Sequence, residues 1–279
     1  MTKHIAIITD FGMDDTYLGM MKAAIAGISP DARIIDLTHA IPPGDVQRAA
    51  FEAWRVRSYL PPETILLAVV DPGVGTRRRA IALKLPGLVC VGPDNGLFSF
   101  LLYSSDKYKA AELVNPRYQL QTISHTFHGR DIFAPAAAYL AQNIPLEDFG
   151  PITQELVRIP DPLLKDLGAG SIQGEIMHSD LFGNLITSIG RFDNTDDDLS
   201  FKPWIPSFPV RTLIAQEYEV LLPQGNVVPL GRTFGDAPKG EALAYIGSSN
   251  LLEIAINGGD AAKTLNLAPG DEIIFNLKG

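Results

Sequence analysis

The sequence predicts an N-terminal α/β domain with a largely parallel sheet, followed by a smaller all-β domain. Three observations carry that prediction. Over roughly the first two-thirds of the chain, short β-type runs alternate with helical periodicity, the pattern of βα units layered on one sheet. Around residues 158–174 the composition shifts to Ile159-Pro160-Asp161-Pro162 and then Gly168-Ala169-Gly170, which reads as a linker. Beyond it, short β-type runs are separated by Gly, Pro and Asn with little helical periodicity. The predicted domains are residues 1–165 and 172–279.

Taken in order, a strand over residues 4–9 is followed by a helix over 15–28, and a strand over 33–37 leads into Thr38-His39. The next helix, over 45–60, is well punctuated: Pro42-Pro43-Gly44 precede it, Asp45 is placed to cap it, and Pro61-Pro62 stop it. Strands follow over 64–70, 80–85 and 88–92, then a helix over about 133–142. Pro135 suits the first turn of that helix, which leaves His128–Asp131 in the loop before it. The C-terminal strands are predicted over 174–178, 185–189, 218–222, 242–246, 252–256 and 272–277. The segment 193–209, acidic and then proline- and aromatic-containing, reads as a long loop and a candidate subunit contact.

Composition narrows the class. Of 279 residues, 46% are hydrophobic and 20% charged, ordinary for a soluble globular protein able to bury a substantial core. The net charge of −9 disfavours a nucleic-acid surface and permits attraction of a cationic ligand. No apolar run approaches the ~18 residues of a membrane span, and the N-terminus lacks a signal-peptide pattern, so no membrane and a cytoplasmic location are expected. The single cysteine, Cys90, lies in an apolar run and reads as a buried core thiol.

The polar motifs share one place in the predicted fold. Residues 10–15, 38–45, 71–79 and 92–96 each follow a predicted strand, and open α/β sheets bind ligands outside the carboxyl ends of their strands. Asp10, Asp14 and Asp15 put three carboxylates within six residues. One reading is a Ca2+ cluster, since hard cations take several carboxylate oxygens; this loosely resembles calcium-dependent nucleoside hydrolases. Another gives Asp10 a ribose diol and Asp15 the mouth of the site, and a third makes Asp14 or Asp15 a helix N-terminal residue.

Asp71-Pro72-Gly73-Val74-Gly75 has neither a G-x-G-x-x-G pattern nor a Walker lysine, so phosphate binding is poorly supported. One of Arg77, Arg78 and Arg79 turning back on Asp71 would keep that carboxylate ionised and rigid. Gly92-Pro93-Asp94-Asn95-Gly96 is a turn with a structural reading. Of five histidines, His4, His125 and His178 lack companions at ligand spacing, and His39 ends a strand. His128, between Phe127 and Gly129-Arg130-Asp131, is the catalytic candidate. No two His or Cys have zinc spacing, so a catalytic zinc is not expected, and neither is a cysteine nucleophile or a serine elbow. In the β-rich part, Asp180-Leu181-Phe182-Gly183-Asn184 joins an acid, a turn and an amide whose paired donor and acceptor suit an adenine edge. Gly247-Ser248-Ser249-Asn250 and Ile256-Asn257-Gly258-Gly259 are weaker polar turns.

In order, the motifs are T-D-F-G-x-x-D, D-L-T-H, V-V-D-P-G-V-G-T, G-P-D-N-G, F-H-G-R-D-x-F-A-P, D-x-F-G-N and S-x-x-L-L-E-I-A-x-N-x-G. Across nearly its whole length the chain resembles the SAM hydroxide adenosyltransferase family, relatives of the fluorinase and chlorinase. The resemblance implies a Rossmann-like α/β sandwich, a β-barrel-like C-terminal domain, and hydrolysis of S-adenosylmethionine (SAM) to adenosine and methionine. It implies a homotrimer whose sites lie between one subunit's N-terminal domain and its neighbour's C-terminal domain, with no cofactor, SAM being substrate. By motif matching the catalytic set falls on Asp71, Arg78 and His128. Asp10 would hold the ribose hydroxyls with Asp15 nearby, and Phe127 would pack on the nucleoside. Asn184 would read adenine, backbone around Gly258 would complete its pocket, and Asp180 and Ser248 would meet the methionine end. Halogenases of this superfamily carry a tyrosine where Asp71 stands, and the fluorinase a serine at Gly129, so halogenation is disfavoured. The rival readings are the calcium-dependent nucleoside hydrolase and a SAM- or adenosine-binding sensor.

Overall fold

The computed structural model describes residues 3–104, 107–168, 170–195, 198–206, 208, 211–213 and 218–277. The chain divides into two compact units, Met1–Ile159 and Pro160–Gly279.

The first unit is built on β1 (His4–Thr9), α1 (Tyr17–Ile28), β2 (Arg33–Thr38), α2 (Val46–Val56), β3 (Thr64–Val69), β4 (Ala80–Leu85), β5 (Leu88–Pro93), β6 (Lys109–Glu112), α3 (Ala134–Ala141) and β7 (Ile152–Thr153). These strands form one sheet in the order β2-β1-β3-β5-β4-β6-β7. The side β2-β1-β3-β5 is parallel, and β4, β6 and β7 add antiparallel. The change of sense has a local cause. Only Pro86-Gly87 separate β4 from β5, Gly87 sits at φ +74°, and a two-residue connection can join only antiparallel neighbours.

Alternation along the strands fixes the layers. Ile5, Ile7, Ile65, Leu67 and Val69 pack with α1 and α3, whereas Ala6, Ile8, Leu66, Ala68 and Val70 pack with α2. The result is a sheet covered on both faces, which explains why β1 and β3 are apolar without interruption. Asp45 caps α2 by accepting from the Arg48 N–H at 2.9 Å. The parallel strands β1, β2, β3 and β5 all end on one edge, so the loops at 10–15, 38–45, 70–79 and 94–96 gather there.

The predicted loop over His128–Asp131 is corrected. Gly129–Phe133 forms a single π-helical turn, begun at His128 and running directly into α3. Such a turn leaves no distinct hydrophobic period, so the sequence pattern does not reveal it.

The second unit contains β8 (Leu164–Gly168), β9 (Ser171–Ser179), β10 (Leu185–Gly190), β11 (Phe192–Thr195), β12 (Asp198–Phe201), β13 (Arg211–Leu213), β14 (Tyr218–Leu221), β15 (Val227–Pro229), β16 (Ala242–Ile246), β17 (Leu251–Ile256), a short helix α4 (Ala261–Thr264) and β18 (Glu272–Leu277). Its main sheet runs β15-β14-β18-β9-β10-β17-β16, with β8 also on β9. Leu230 bridges Ala244, and the Gly231 N–H donates to the Ala244 carbonyl at 2.8 Å, drawing the two ends of that path together into a nearly closed barrel.

Two predicted irregular segments are corrected here. The linker read over 158–174 holds β8 and the start of β9, a hairpin whose turn includes Gly168 at φ +82°. The long loop read over 193–209 is a β11–β12 hairpin extended by β13, apart from positions 196, 197, 207 and 209, which lie outside the described residues. Its aromatic residues supply the reason: Phe192, Phe201 and Phe208 are buried in this unit's core, and the Trp204 ring N–H donates to the Ser188 carbonyl at 2.8 Å.

Candidate active site

Asp71 is the second residue past the end of β3, where the chain turns through Gly73 and Gly75 before entering β4. Both glycines are needed by close approach. A side chain on Gly75, at φ +76°, would meet the His125 carbonyl oxygen at 2.3 Å, and one on Gly73 would press Arg78 Cγ at 3.2 Å. The turn therefore folds Arg78 back over Asp71 and seats the loop against the segment that precedes His128.

Of the three consecutive arginines, Arg78 is the one on Asp71. Its Nε donates to Oδ1 and to Oδ2, each at 2.9 Å, and its Nη2 also donates to Oδ2. The same Nη2 lies 2.7 Å from His128 Nδ1. Phe133 underlies the guanidinium, 5.2 Å from Arg78 Cζ to the ring centroid. Both charged side chains are largely buried, Asp71 at 6% and Arg78 at 10% exposure. Arg79 is committed elsewhere, to Asp94, Thr153 and the Glu155 carbonyl, while Arg77 is exposed.

This geometry settles a tautomer by elimination. Arginine can only donate, so His128 Nδ1 accepts, and the ring proton of the neutral imidazole sits on Nε2. Burial, then the Arg78 charge, holds the His128 pKa below its ordinary value, against the opposing pull of Asp71 and Asp131. Acceptor capacity for a further proton donor thus belongs to Asp71, whose two oxygens offer more lone pairs than Arg78 uses.

Asp10 lies beside this set. Its Oδ2 accepts from the Gly44 N–H at 2.9 Å, and the Cβ position of Gly44 is 3.6 Å from Pro72 Cβ, so the loops after β1, β2 and β3 meet. Partial burial, with the Asp71 charge adding to it, raises the Asp10 pKa despite that backbone bond. Asp14 and Asp15 are exposed ahead of α1, and Thr16 rather than either aspartate occupies the N-cap. Among the described residues no group of three or more His, Cys, Asp or Glu is placed to hold a metal ion. His39 is a buried structural residue, its Nδ1 2.9 Å from Thr9 Oγ1 and its Nε2 3.1 Å from Asp36 Oδ1.

Phe127 is buried in a cluster with Phe11 and Tyr17, ring centroids 5.9 and 5.1 Å away, and Arg130 covers it at 5.2 Å. Asn95 Nδ2 donates to the Val70 carbonyl at 2.9 Å, which anchors the backbone just before Asp71. Its companion Asp94 is buried and accepts from Arg79 and from the Val157 N–H, so the Gly92–Gly96 motif braces the site from behind.

In the second unit, Asp180 Oδ1 accepts from the Phe182 and Asn184 N–H groups, and Oδ2 from Asn184 Nδ2, all at 2.9 Å. The hairpin thereby points Asn184 inward and leaves Leu181 and Phe182 exposed at the tip. Ser248 is exposed in the turn between β16 and β17, and Gly258, at φ +72°, follows β17. Sequence reasoning gave no role to Tyr245 and Glu253, a buried pair bonded at 2.6 Å beneath the Ser248 turn. Their opposition across β16 and β17 appears only once the register is known.

An α/β unit with a largely buried Asp–Arg pair and a half-buried His at the carboxyl edge of its parallel strands, followed by a β-barrel-like unit, is the arrangement of an enzyme. The chain belongs to the SAM hydroxide adenosyltransferase family: the family's N-terminal domain matches residues 5–150 and its C-terminal domain residues 174–274. It is 38% identical to a protein of Thermus thermophilus named (R)-S-adenosyl-L-methionine hydrolase, over 95% of this chain and 96% of that one. A Salinispora arenicola protein of the same name is 39% identical over 98% and 97% of the two chains. Among solved structures, an uncharacterized conserved protein from Thermotoga maritima superposes with a TM-score of 0.83 at 33% identity, covering 98% of this chain and 99% of that one.

Proposed function

We propose that this protein hydrolyses S-adenosyl-L-methionine to adenosine and L-methionine, with the (R)-sulfonium epimer as its substrate. The observation that carries the reading is Arg78 bonded at once to Asp71 and to His128. The epimer follows the names of the hydrolases to which the chain is 38–39% identical.

The chemistry asks little of the protein beyond placement. A sulfonium is already a good leaving group, so a single water must be held in line with C5′, opposite sulfur, and relieved of a proton. Bulk water has a pKa of about 15.7, so a nearby acceptor is required. Asp71 is that acceptor; Arg78 fixes its rotamer, and His128, holding its proton on Nε2, donates toward the water oxygen and orients its lone pair. The C5′–S bond breaks as the O–C5′ bond forms, sulfur keeps the electron pair, and the water proton passes to Asp71. No metal or cofactor takes part in this scheme.

Asp10 holds the ribose diol, with Asp15 at the mouth and Phe127 forming the floor behind Phe11 and Tyr17. Asn184 and the backbone at Gly258 read adenine, and Asp180 and Ser248 take the amino-acid end. These second-unit groups act from a neighbouring subunit of a homotrimer in the cytoplasm. Hydrolysis is favoured over halogenation because an ionised Asp71 repels a halide. In addition, a side chain at Gly129 would crowd Met21 Sδ and Phe127 Cε2, each at 3.2 Å.

The test is chromatography of products from purified protein and each SAM epimer, with and without EDTA. Adenosine and methionine, formed faster from the (R) epimer and unaffected by EDTA, are expected. Release of free base and ribose, or loss of turnover with EDTA, would overturn the reading in favour of a calcium-dependent nucleoside hydrolase. Binding without turnover would mark a sensor.

A further inference from the structure

We infer that Asp131 is a positioning residue for the hydrolytic set, tying into one unit the segments that carry Asp71, Arg78 and His128. Its carboxylate is fully buried, yet it touches neither Asp71 nor Arg78. Oδ1 accepts from Arg130 Nε at 2.6 Å, and Oδ2 accepts from Arg130 Nη2 at 3.1 Å and from the Ser124 N–H at 2.8 Å. The Asp131 backbone is used as well: its N–H donates to the Phe127 carbonyl at 3.2 Å, and its carbonyl accepts from Leu120 at 2.9 Å.

These bonds meet at the π turn. Asp131 sits at the centre of Gly129–Phe133, with His128 at one end and Phe133, the ring under Arg78, at the other. Through Ser124 it anchors the segment whose His125 carbonyl abuts Gly75 in the Asp71–Arg78 loop. One buried carboxylate therefore fixes both sides of the 2.7 Å contact between Arg78 and His128. A charge removed from water in this way is retained only when its donors are fixed, and three donors from two segments fulfil that condition. The charged and titratable groups facing His128 are Arg78 and Asp71 from the loop after β3, Asp131 from the π turn, and His125 from the segment before it.

The experiment uses the full chain with Asp131→Asn, which keeps the shape, removes the charge and leaves Arg130 without its carboxylate. The kinetic half rests on the proposed hydrolysis; the spectroscopic half does not, because 15N NMR reads the His128 tautomer without substrate. In the parent, His128 is expected as the Nε2–H tautomer alone. In Asp131→Asn, a mixture of tautomers is expected, with kcat lower by about 30-fold and KM within about threefold, the pattern of a lost transition-state arrangement. Arg130→Leu keeps the buried carboxylate and its Ser124 bond but strips two of its three donors, so the same mixture of tautomers and a loss of kcat of comparable size, about 30-fold, are expected. If Asp131→Asn does not fold, Arg130→Leu is judged by the same two readouts. An unchanged His128 tautomer together with a parental kcat, or a kcat that falls only with the folded fraction, overturns the inference. If the parent hydrolyses neither epimer, the function fails while the tautomer still decides the role of Asp131.

Discussion

Arg78 and Arg79 are adjacent, each makes a multidentate pair with an aspartate, and they do different work. Arg79 spends its donors on scaffold: Asp94, Thr153, the Glu155 carbonyl and, at 3.6 Å, Glu112. These groups lie on the strands and the final segment of the first unit, so the pair closes that unit around itself. Arg78 instead joins the glycine-bearing loop after β3 to the π turn that carries His128 and Phe133, and one of its partners is a neutral histidine. The two side chains diverge because the chain is extended as it enters β4, where successive residues face opposite ways. A multidentate Arg–Asp pair is therefore not in itself a mark of function; what separates the two is that only the Arg78 guanidinium also holds a histidine, whereas Arg79's further partners are Thr153, a carbonyl and a second carboxylate.

The largest expected effect breaks the Arg78 side of that comparison at its carboxylate. Asp71→Ala should lower kcat for SAM hydrolysis by about 10^3-fold, within the range for loss of a general base, while adenosine still binds by calorimetry. Turnover at the parent rate would remove Asp71 from the mechanism. Next, Arg78→Lys keeps the charge but not the fork that serves Asp71 and His128 together, and about 10^2-fold is expected in kcat. The matching change, Arg79→Lys, should leave kcat within about threefold, since no reacting group lies on that side. Equal losses in the two lysine variants would erase the distinction.

On the Arg79 side the expected loss is one of stability. Arg79→Ala leaves Asp94, whose side chain is 2% exposed, without its cation. A cost of about 2 kcal/mol in urea unfolding is expected, below the usual figure for breaking a buried pair because Arg79 is about one-third exposed. Activity per folded molecule should stay near the parent. A collapse of kcat at undiminished stability would place Arg79 in the site.

Much of this was legible in the sequence, for identifiable reasons. β1 and β3 announce themselves as uninterrupted apolar runs, and α2 by its proline boundaries and the Asp45 cap. By contrast β6, Lys-Ala-Ala-Glu, carries no β-branched or aromatic residue, and its pairing with β4 supplies what propensity does not. β8 was hidden in a segment that the surrounding prolines and glycines made look like a linker. In the site, the residues by themselves left Arg77, Arg78 and Arg79 open as partners of Asp71, and the family resemblance chose Arg78. The physical reason is the turn through Gly73 and Gly75, and its shape depends on His125, some fifty residues away. Asp131 carries a similar lesson: its partners lie at positions 124 and 130, but its importance comes from the burial that the π turn imposes.

The smallest effect is the most specific, because its sign belongs to the Arg78 side alone. Burial and Arg78 hold the folded-state pKa of His128 below the value of about 6.5 expected for an unfolded histidine. As pH falls through that unfolded value toward the folded one, the unfolded chain binds a proton that the folded chain refuses, so stability must decline across the window. The same protonation gives Nδ1 a hydrogen directed at Arg78 Nη2, which breaks the 2.7 Å contact; kcat should therefore fall along an acid limb lying below the ordinary histidine range. Asp10 works in the opposite sense: its folded-state pKa is raised, so its protonation at lower pH returns stability rather than removing it. Urea titrations from pH 8 to about pH 4 on the parent and His128→Gln should differ only in the first window, where the variant loses the decline. An acid limb above the ordinary histidine value would mean that His128 is charged in the folded protein. Arg78 could not then be its donor, and the contrast with Arg79 would lose its basis.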